Sequence, residues 1–489
     1  MKKYIFFITA IIVLVLIAAC TLENPAQPAL NIPVYQPLFS RMVAIGNSLT
    51  MGIQSAGIKE DFQKNCYPYL IAKQTGNAAG FEMPLVDEPG IGEGGNTPMY
   101  IDQTSGEIVS DPITVNPLTL LLNSELPRPY DNLGIAGFDL NDALNTVSGE
   151  LTDIVTLVLR NLNAEQNLGF TSQIEQAIML NPKVILLWLG NNDVLGAALA
   201  GGDLTQITPV DSFQARYTRI LTKIGTEADP TLMVMANIPN VTDIPYVNIL
   251  DHIVKTTAWG TGPVLFGSDL QPINFDPSGT GELYIPIKTD ESSVEHVTLV
   301  GLQAYQTGIG VPTQADLEGM GLSTGQAAGI IGALSAGGLT PSGTPMPGSM
   351  TITTEEAAAI SGAVTYFNAI IAGIATRGTP EATDDIPVVD INTLLGTLNS
   401  SGLEGFTGYY VLMDRDNTAF SLDGVHPNNG GQALIANAFI DKINQVMTLQ
   451  HLPTIPRLNT DEYKGQYTPG NAPKIAAKTD FSQVRKFFE

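Results

Sequence analysis

Basic residues are scarce in this sequence. The chain of 489 residues contains 23 Lys and Arg against 48 Asp and Glu, which gives a formal net charge of −25. Such a charge repels the phosphate backbone of nucleic acids and the surface of anionic lipids. We therefore exclude a nucleic-acid partner, and any membrane association has to come from a separate anchor.

Cysteine is almost absent as well, with only Cys20 and Cys66 in the chain. If Cys20 carries a lipid, as argued below, Cys66 has no partner and no disulfide framework exists. The sequence contains no Cys-x-x-Cys, His-Glu-x-x-His or P-loop pattern. We therefore expect neither a metal, a nucleotide nor any other cofactor.

The first 19 residues have the pattern of a signal peptide. Lys2 and Lys3 precede an apolar run over 4–19 that is too short and too early for a membrane span. The run ends in Leu-Ile-Ala-Ala-Cys, which looks like a lipobox, where bacterial signal peptidase cuts before an acylated cysteine. We therefore expect a lipid on Cys20, a proline-rich tether over 20–38, and an extracytoplasmic position on the bacterial outer membrane. The alternative is an ordinary secretory signal with a chance cysteine.

Short apolar runs alternate with helical patterns along the rest of the chain. Runs typical of buried strands occur at 42–45, just before Gly137, and at 184–189, 231–236 and 386–390. Helical patterns occur at 61–75, 139–147, 171–180, 212–226 and 431–447, and a capping box at 353–356 begins another helix. Five strands separated by helices predict an α/β fold in which a parallel sheet lies between two layers of helices.

A serine follows the first strand. The sequence Gly-Asn-Ser-Leu-Thr occupies 46–50, and Gly46 ends the strand at 42–45. In open α/β sheets, ligands bind at the carboxyl ends of the strands. Ser48 is therefore a candidate nucleophile, which needs a base to remove its proton.

His426 is the candidate base. Among the 4 histidines, it alone has an acid at turn spacing, Asp423, in the sequence Asp-Gly-Val-His-Pro at 423–427. An imidazole that accepts a serine proton needs an acceptor on its other ring nitrogen, and Asp423 can supply one. This spacing alone is more typical of a surface turn, but together with Ser48 it indicates a catalytic triad.

Two further strand ends offer donors for a tetrahedral oxyanion. The strand at 184–189 is followed by Gly-Asn-Asn-Asp at 190–193, and the segment at 131–137 ends in glycines. A side-chain amide and a glycine N–H are the donor types that an oxyanion hole requires. Asn192 and Gly137 are the candidates, with a helix N-cap and a simple turn as the respective alternatives.

These four blocks, in this order, resemble the SGNH hydrolases, also called the GDSL family of esterases and lipases. The matching blocks lie at 46–49, 132–137, 190–193 and 423–427. The resemblance implies that Ser48 is the nucleophile, His426 the base and Asp423 its orienting acid. It also implies an oxyanion hole formed by the Ser48 N–H, Gly137 and Asn192.

One position departs from the family pattern, because Asn47 stands where the family usually has Asp. That Asp is not a catalytic member, so we expect altered hydrogen bonds in the turn rather than lost activity. The family also implies a five-stranded sheet with flavodoxin-like strand order. The domain is then expected over 39–450, with insertions at 76–130 and 240–352 and a C-terminal extension at 451–489.

The role of the longer insertion stays open at this point. Its stretch at 327–334 has few polar side chains, so a helix there is apolar on nearly every face. It either packs on the flank of the domain or overhangs the active site as a lid or wall for an acyl chain. The tail from 451 onward is either a packed extension or a loose arm.

The pattern as a whole predicts a lipid-anchored serine esterase or lipase that hydrolyses carboxylic esters of small molecules or lipids. A carbohydrate acyl esterase is the first alternative, although 2 tryptophans and 7% aromatic residues weaken a sugar-stacking surface. A surface binding lipoprotein with an inactive hydrolase domain is the second alternative.

Overall fold

A sheet of five parallel strands forms the centre of the fold. In the computed structural model, the strands are β1 Met42–Gly46, β2 Asn132–Gly134, β3 Val184–Trp188, β4 Leu232–Ala236 and β5 Val388–Val389. Their order across the sheet is β2-β1-β3-β4-β5, and each neighbouring pair is parallel. This is the flavodoxin-like order, so the predicted α/β fold is confirmed.

The structure describes residues 36–149, 154–161, 168–249, 264–266, 284–286, 294–319, 323–336, 339–344, 346–377, 385–467 and 474–475. The predicted signal peptide, Cys20 and most of the tether lie outside these residues. Most of the segment over 250–293 lies outside them as well.

Helices cover both faces of the sheet. The main ones are α1 Tyr67–Gln74, α2 Gln173–Met179, α3 Asn192–Leu199, α4 Val210–Glu227, α5 Thr354–Arg377, α6 Ile391–Ser400 and α7 Asn429–Leu449. The other α-helices in the described residues are Gln36–Phe39, Ser48–Met51, Glu60–Gln63, Leu140–Asn145, Ile154–Leu159, Leu299–Gln306, Gln314–Gly319 and Thr324–Ala336.

The strands are buried on both sides because their side chains alternate between two cores. Every residue of β1, β3 and β4 is buried. Val43 and Ile45 of β1 enter one core, and Met42 and Ala44 enter the other. The fold therefore has three layers, and the strand ends at Gly46 and Trp188 lie at the same edge of the sheet.

Stacked aromatic rings mark the two cores. On one face, the rings of Tyr67 in α1 and Phe439 in α7 stack with centroids 4.8 Å apart. On the other face, Phe213 of α4 and Phe367 of α5 stack at 3.9 Å. Such pairs add to the stability that apolar burial provides.

The predicted helix over 61–75 is wrong in one respect, because it is two helices, Glu60–Gln63 and α1. Pro68 has no N–H, and its ring would clash with the carbonyl four residues earlier in a continuous helix. The second helix therefore begins just before Pro68, which occupies its first turn.

The predicted capping box at the start of α5 is confirmed. The Thr353 N–H donates to Glu356 Oε2 at 2.9 Å, and the Glu356 N–H donates to Thr353 Oγ1 at 3.2 Å. The apolar residues of α5 at helical spacing are buried, namely Ile360, Val364, Phe367 and Ile371, with Ile374 partly buried. By length and composition alone α5 is apolar enough to cross a membrane, but a core helix passes the same test.

The segment over 76–130 pairs with the C-terminal extension. Tyr100–Ile101 and Glu107–Val109 form an antiparallel pair, and Lys474–Ile475 joins Glu107–Val109 in parallel. Gly57–Ile58 and Ile91–Gly92 form a second short pair. The described part of the extension is therefore packed against the domain rather than loose.

The apolar stretch over 327–334 lies within the helix Thr324–Ala336 and is only partly covered. Of its described side chains, Ala327 is fully buried, and Ile331 and Leu334 are half-buried. Gly329 and Gly332 have open space where a Cβ would stand. The described residues of this stretch therefore neither form a fully packed core helix nor line the cavity at Ser48 that is described below.

Candidate active site

The turn that carries Ser48 is fixed by Asn47. Ser48 begins the helix Ser48–Met51, and the Asn47 side-chain oxygen accepts the Leu49 N–H at 3.2 Å. The Asn47 carbonyl accepts the N–H groups of Thr50 and Met51. Asn47 thus provides the capping oxygen that an Asp would provide here. Ser48 itself is 2% exposed.

Two glycines let this turn pack closely on the sheet. A Cβ on Gly46 would lie 1.9 Å from Thr50 Oγ1, and a Cβ on Gly134 of β2 would lie 2.3 Å from the Met51 N atom. Any larger residue at either position would push the helix away from the strands. The position of Ser48 therefore depends on glycine at the ends of two neighbouring strands.

Asp423 and His426 form a buried pair. His426 Nδ1 lies 2.9 Å from Asp423 Oδ2, and both residues are 0% exposed. Gly424 between them has φ +71°, a left-handed conformation that favours glycine. The glycine in the predicted Asp-Gly-Val-His turn thus has a specific backbone role.

The remaining lone pairs of Asp423 are also occupied. Its Oδ1 atom accepts the N–H groups of Val425 and His426, each at 2.8 Å, and the Ser421 hydroxyl at 3.0 Å. Its Oδ2 atom accepts the Ala56 N–H at 2.7 Å. Backbone donors carry no side-chain signal, so the Ala56 contact could not be predicted from the sequence.

These contacts keep the Asp423 carboxylate ionised. Burial on its own raises the pKa of the Asp423 carboxyl, but the charge of His426 and the hydrogen bonds together outweigh it, so the pKa lies below its usual value. An ionised Asp423 holds a proton on His426 Nδ1, which makes Nε2 the basic atom of the ring. This is the tautomer that a general base for Ser48 requires.

Hydrogen bonds join the C-terminal loop to the nucleophile turn. The Ser55 N–H donates to Ser421 Oγ at 2.8 Å, next to the Ala56 contact with Asp423. The Gln432 side chain of α7 donates to the Leu49 carbonyl at 3.1 Å and accepts the Tyr67 N–H at 2.9 Å. The late segment over 421–432 is therefore anchored directly to the early segment over 48–67.

Ser48, Asn192 and His426 line one cavity, with about 730 Å³ of space that includes its opening to solvent. Asn47 and Asn191 line it as well. Within the described part of the chain, Asn47 Nδ2, Asn192 Oδ1 and both polar side-chain atoms of Asn191 are buried without a hydrogen-bond partner. Asn191 was not among the residues predicted for the site, although it lies inside the third block.

Gly137 lies close to this group but does not line the cavity. It has φ +81°, and the Asn192 side-chain N–H donates to the carbonyl of the next residue, Phe138, at 3.0 Å. Asp193 Oδ2 accepts the Leu140 N–H at 3.1 Å. The loop after β2 and the start of α3 are therefore joined by two hydrogen bonds next to the residues of the predicted oxyanion hole.

Burial makes the remaining thiol unsuitable as a nucleophile. Cys66 is fully buried, and this burial raises the pKa of its thiol to about 12. In the described ranges, no three His, Cys, Asp or Glu side chains come together in a way that would hold a metal ion.

The structure thus brings Ser48, His426 and Asn192 to one cavity, with Asp423 behind His426 and Gly137 beside the contact of Asn192. Comparisons of the chain with protein-family models, with curated proteins and with solved structures found no match.

Proposed function

We propose that this protein hydrolyses carboxylic esters with Ser48 as the nucleophile. The observation that carries the proposal is the buried Asp423–His426 pair, whose imidazole lines the same cavity as Ser48. A serine hydroxyl is a poor nucleophile without a base, and an oriented imidazole is the usual base for it.

Each proposed step uses a named atom. His426 Nε2 removes the proton from Ser48 Oγ as Oγ attacks the ester carbonyl, and the alcohol leaves with that proton. Water then attacks the acyl group on Ser48 Oγ, with His426 again as the base, and the free acid leaves. The Ser48 N–H, the Gly137 N–H and the Asn192 amide stabilise the oxyanion in both steps.

Asn192 has the hydrogens for this role. Its side-chain nitrogen carries two, and one is used on the Phe138 carbonyl. The contact fixes the orientation of the amide while a second hydrogen remains for the oxyanion. Preorganised donors of this kind need no rearrangement when the charge develops.

The cell-envelope location is part of the same proposal. The signal peptide pattern and Cys20 support a lipid anchor, so Cys20→Ser expressed with its signal in a bacterial host should lose labelled fatty acid and leave the membrane fraction. Persistence at the membrane would instead mean that the run over 4–19 remains as an uncleaved anchor.

A fluorophosphonate probe tests the nucleophile directly, because it labels only activated serines. We expect labelling and ester hydrolysis in the wild-type protein and in Ser110→Ala, which changes an exposed serine. Both signals should vanish in Ser48→Ala and fall at least a hundredfold in His426→Ala, with folding retained.

The outcomes separate the alternatives. A folded wild-type protein that neither reacts with the probe nor cleaves short esters would be a binding protein with an inactive hydrolase domain. Retention of more than a tenth of wild-type turnover in His426→Ala would show that His426 is not the base.

A further inference from the structure

The cavity at Ser48 has an unusual distribution of polarity. Among the described residues that line it, the polar side chains are Asn47, Ser48, Asn191, Asn192 and His426. The other lining residues in the described part of the chain are apolar, or are Trp, Pro or Gly, and none of them is Asp, Glu, Lys or Arg. A charged or polyhydroxylated group inside this cavity would lose its hydration without gaining enough partners.

One side of α6 supplies a continuous part of the apolar wall. Ile391, Leu394, Leu395 and Leu398 line the cavity, and their spacing places them on a single face of a helix. This face extends about 10 Å along the helix axis at the usual rise per residue. Ile391, Leu395 and Leu398 are buried, and Leu394 is half-buried.

The opposite side of α6 has a different character. Asn392, Thr393, Gly396 and Thr397 line a separate groove of polar side chains between α6 and α5. Helix α6 therefore presents leucines to the cavity at Ser48 and small polar residues away from it. The sequence of α6 therefore suits a helix that separates an apolar cavity from a polar groove.

We infer that α6 forms the wall of an acyl-chain pocket, in which the hydrocarbon chain of the acid lies along Leu394, Leu395 and Leu398. This inference rests on the proposed function, because it assigns the cavity to one half of the ester. The acyl group stays on Ser48 while water replaces the alcohol. The alcohol side must therefore admit water, whereas the acyl side can stay closed and apolar.

This assignment replaces the insertion stretch as the source of the apolar surface. None of the described residues over 327–334 lines the cavity. Among the described residues of the insertion, those that line the cavity lie near its start, Val241 and Ile244, with Pro239 just before it. The described residues over 327–334 therefore give no support to a lid or wall from this stretch at this cavity.

A series of esters with one alcohol and linear acids of two to fourteen carbons tests the pocket. We expect kcat/KM of the wild-type protein to rise about fourfold per added methylene, which corresponds to about 0.8 kcal/mol for each buried methylene. The rise should stop when the chain fills the cavity. The acetate ester serves as the reference, because it reports on the catalytic centre without entering the pocket.

Two variants change the wall in different ways. Leu398→Trp narrows the pocket and should lower the ratio of decanoate to acetate ester activity at least tenfold. Leu394→Gln, at a half-buried position that tolerates a polar group, should lower the same ratio three- to tenfold. Gly396→Ala is the matched control on the far side of α6, where an added Cβ meets open space, and it should leave the ratio unchanged.

A binding measurement makes the test independent of catalysis. Decanoic acid should raise the melting temperature of Ser48→Ala, and the added change Leu398→Trp should abolish the shift. Activity on all chain lengths with an unchanged ratio in both wall variants would overturn the pocket and leave the proposed function intact.

Absence of any hydrolysis together with a decanoic acid shift would overturn the proposed function and leave an acyl-binding pocket. An equal change of the ratio in Gly396→Ala would also overturn the pocket, because it would show a general effect of altering α6.

Discussion

Three asparagines surround Ser48 in the cavity, and their amides are not satisfied by the protein alone. Asn47 Nδ2, Asn192 Oδ1 and both polar atoms of Asn191 are buried without partners among the described residues. A buried polar group without a partner costs about 1–3 kcal/mol. Polar groups of a bound ester and of the water that cleaves it would satisfy these atoms, so their cost is consistent with a site built for a ligand.

Asn192→Ala should lower kcat about a hundredfold and change KM by less than threefold. The amide is expected to act on the oxyanion, which exists only in the transition state and the intermediates, and loss of one such donor typically costs about 3 kcal/mol. Steady-state kinetics on a short chromogenic ester measure this. Asn145→Ala, at an exposed helix position, is the control. A change confined to KM would make Asn192 a substrate contact instead.

Connections between strands and helices hold the residues of the proposed oxyanion hole in place. Asp193 accepts the Leu140 N–H, which ties α3 to the loop after β2. Burial, with the nearby charge of Asp139, raises the pKa of Asp193 to about 7. In an unfolded chain an Asp has a pKa of about 3.9, so the folded state holds this proton more tightly.

Asp193→Asn should remove a pH dependence of stability. Between about pH 4 and about pH 7 the folded wild-type protein binds more protons than the unfolded chain, so its stability falls as the pH rises through this window. The side chain of the substituted Asn can still accept the Leu140 N–H. Because it does not titrate, it adds no pH dependence to the stability. Unfolding by urea at several pH values should show that the free energy of unfolding of the variant rises, relative to that of the wild type, by on the order of 1 kcal/mol per pH unit. A constant difference between the two proteins would contradict the shifted pKa.

Close packing between β2 and the helix Ser48–Met51 should make Gly134→Ala damaging. The added Cβ would lie 2.3 Å from the Met51 N atom, so the helix has to move. We expect the free energy of unfolding to fall by about 1–3 kcal/mol. Ester hydrolysis by the folded protein should fall as well, because Ser48 moves with the helix. Gly362→Ala in α5, where a Cβ meets open space, should be neutral or stabilising. Equal effects of both changes would show that the close packing is not what matters.

The sequence predicted the strands well because each is a short apolar run buried on both faces, which leaves a local signal. The sequence did not predict that α6 lines the cavity, because a stripe of leucines is also found in any helix that packs on a hydrophobic core. Which surface such a stripe covers depends on residues distant in the chain, such as Val241 and Leu434. Motif spacing was enough to predict Ser48, Asp423 and His426. The contacts of Asp423 with the Ala56 N–H and with Ser421 could not be predicted, because they depend on how the folded loops meet.

At the scale of the whole molecule, the C-terminal extension holds the two halves of the site together. Gln466 accepts the Asn429 N–H at 2.9 Å and donates to Gln54 at 3.3 Å. Gln54 also donates to the Asn429 side chain at 2.7 Å. The extension thus contacts both the segment that leads to Ala56 and the start of α7, which follows His426.

Truncation at two positions tests this role. A chain that ends at residue 464 loses four hydrogen bonds of Gly465, Gln466 and Tyr467 that a chain ending at residue 467 keeps. At about 1 kcal/mol each, it should lose about 4 kcal/mol of stability, and at least tenfold in ester hydrolysis. A chain that ends at residue 467 keeps Gln466 and should retain activity within threefold. Chemical unfolding and hydrolysis of a short ester measure the two effects. If both truncations behave alike, the contacts of Gln466 do not position the site.

The contacts of Gln466 also determine when activity can first arise during synthesis. The ribosome makes Ser48 early, its proposed base His426 only after β5, and Gln466, which contacts both segments, later still. A nascent chain that has formed β1 to β4 therefore carries the proposed nucleophile without its proposed base. The proposed ester cleavage should accordingly be among the last properties that the chain acquires during synthesis, which makes it a reporter of completed folding.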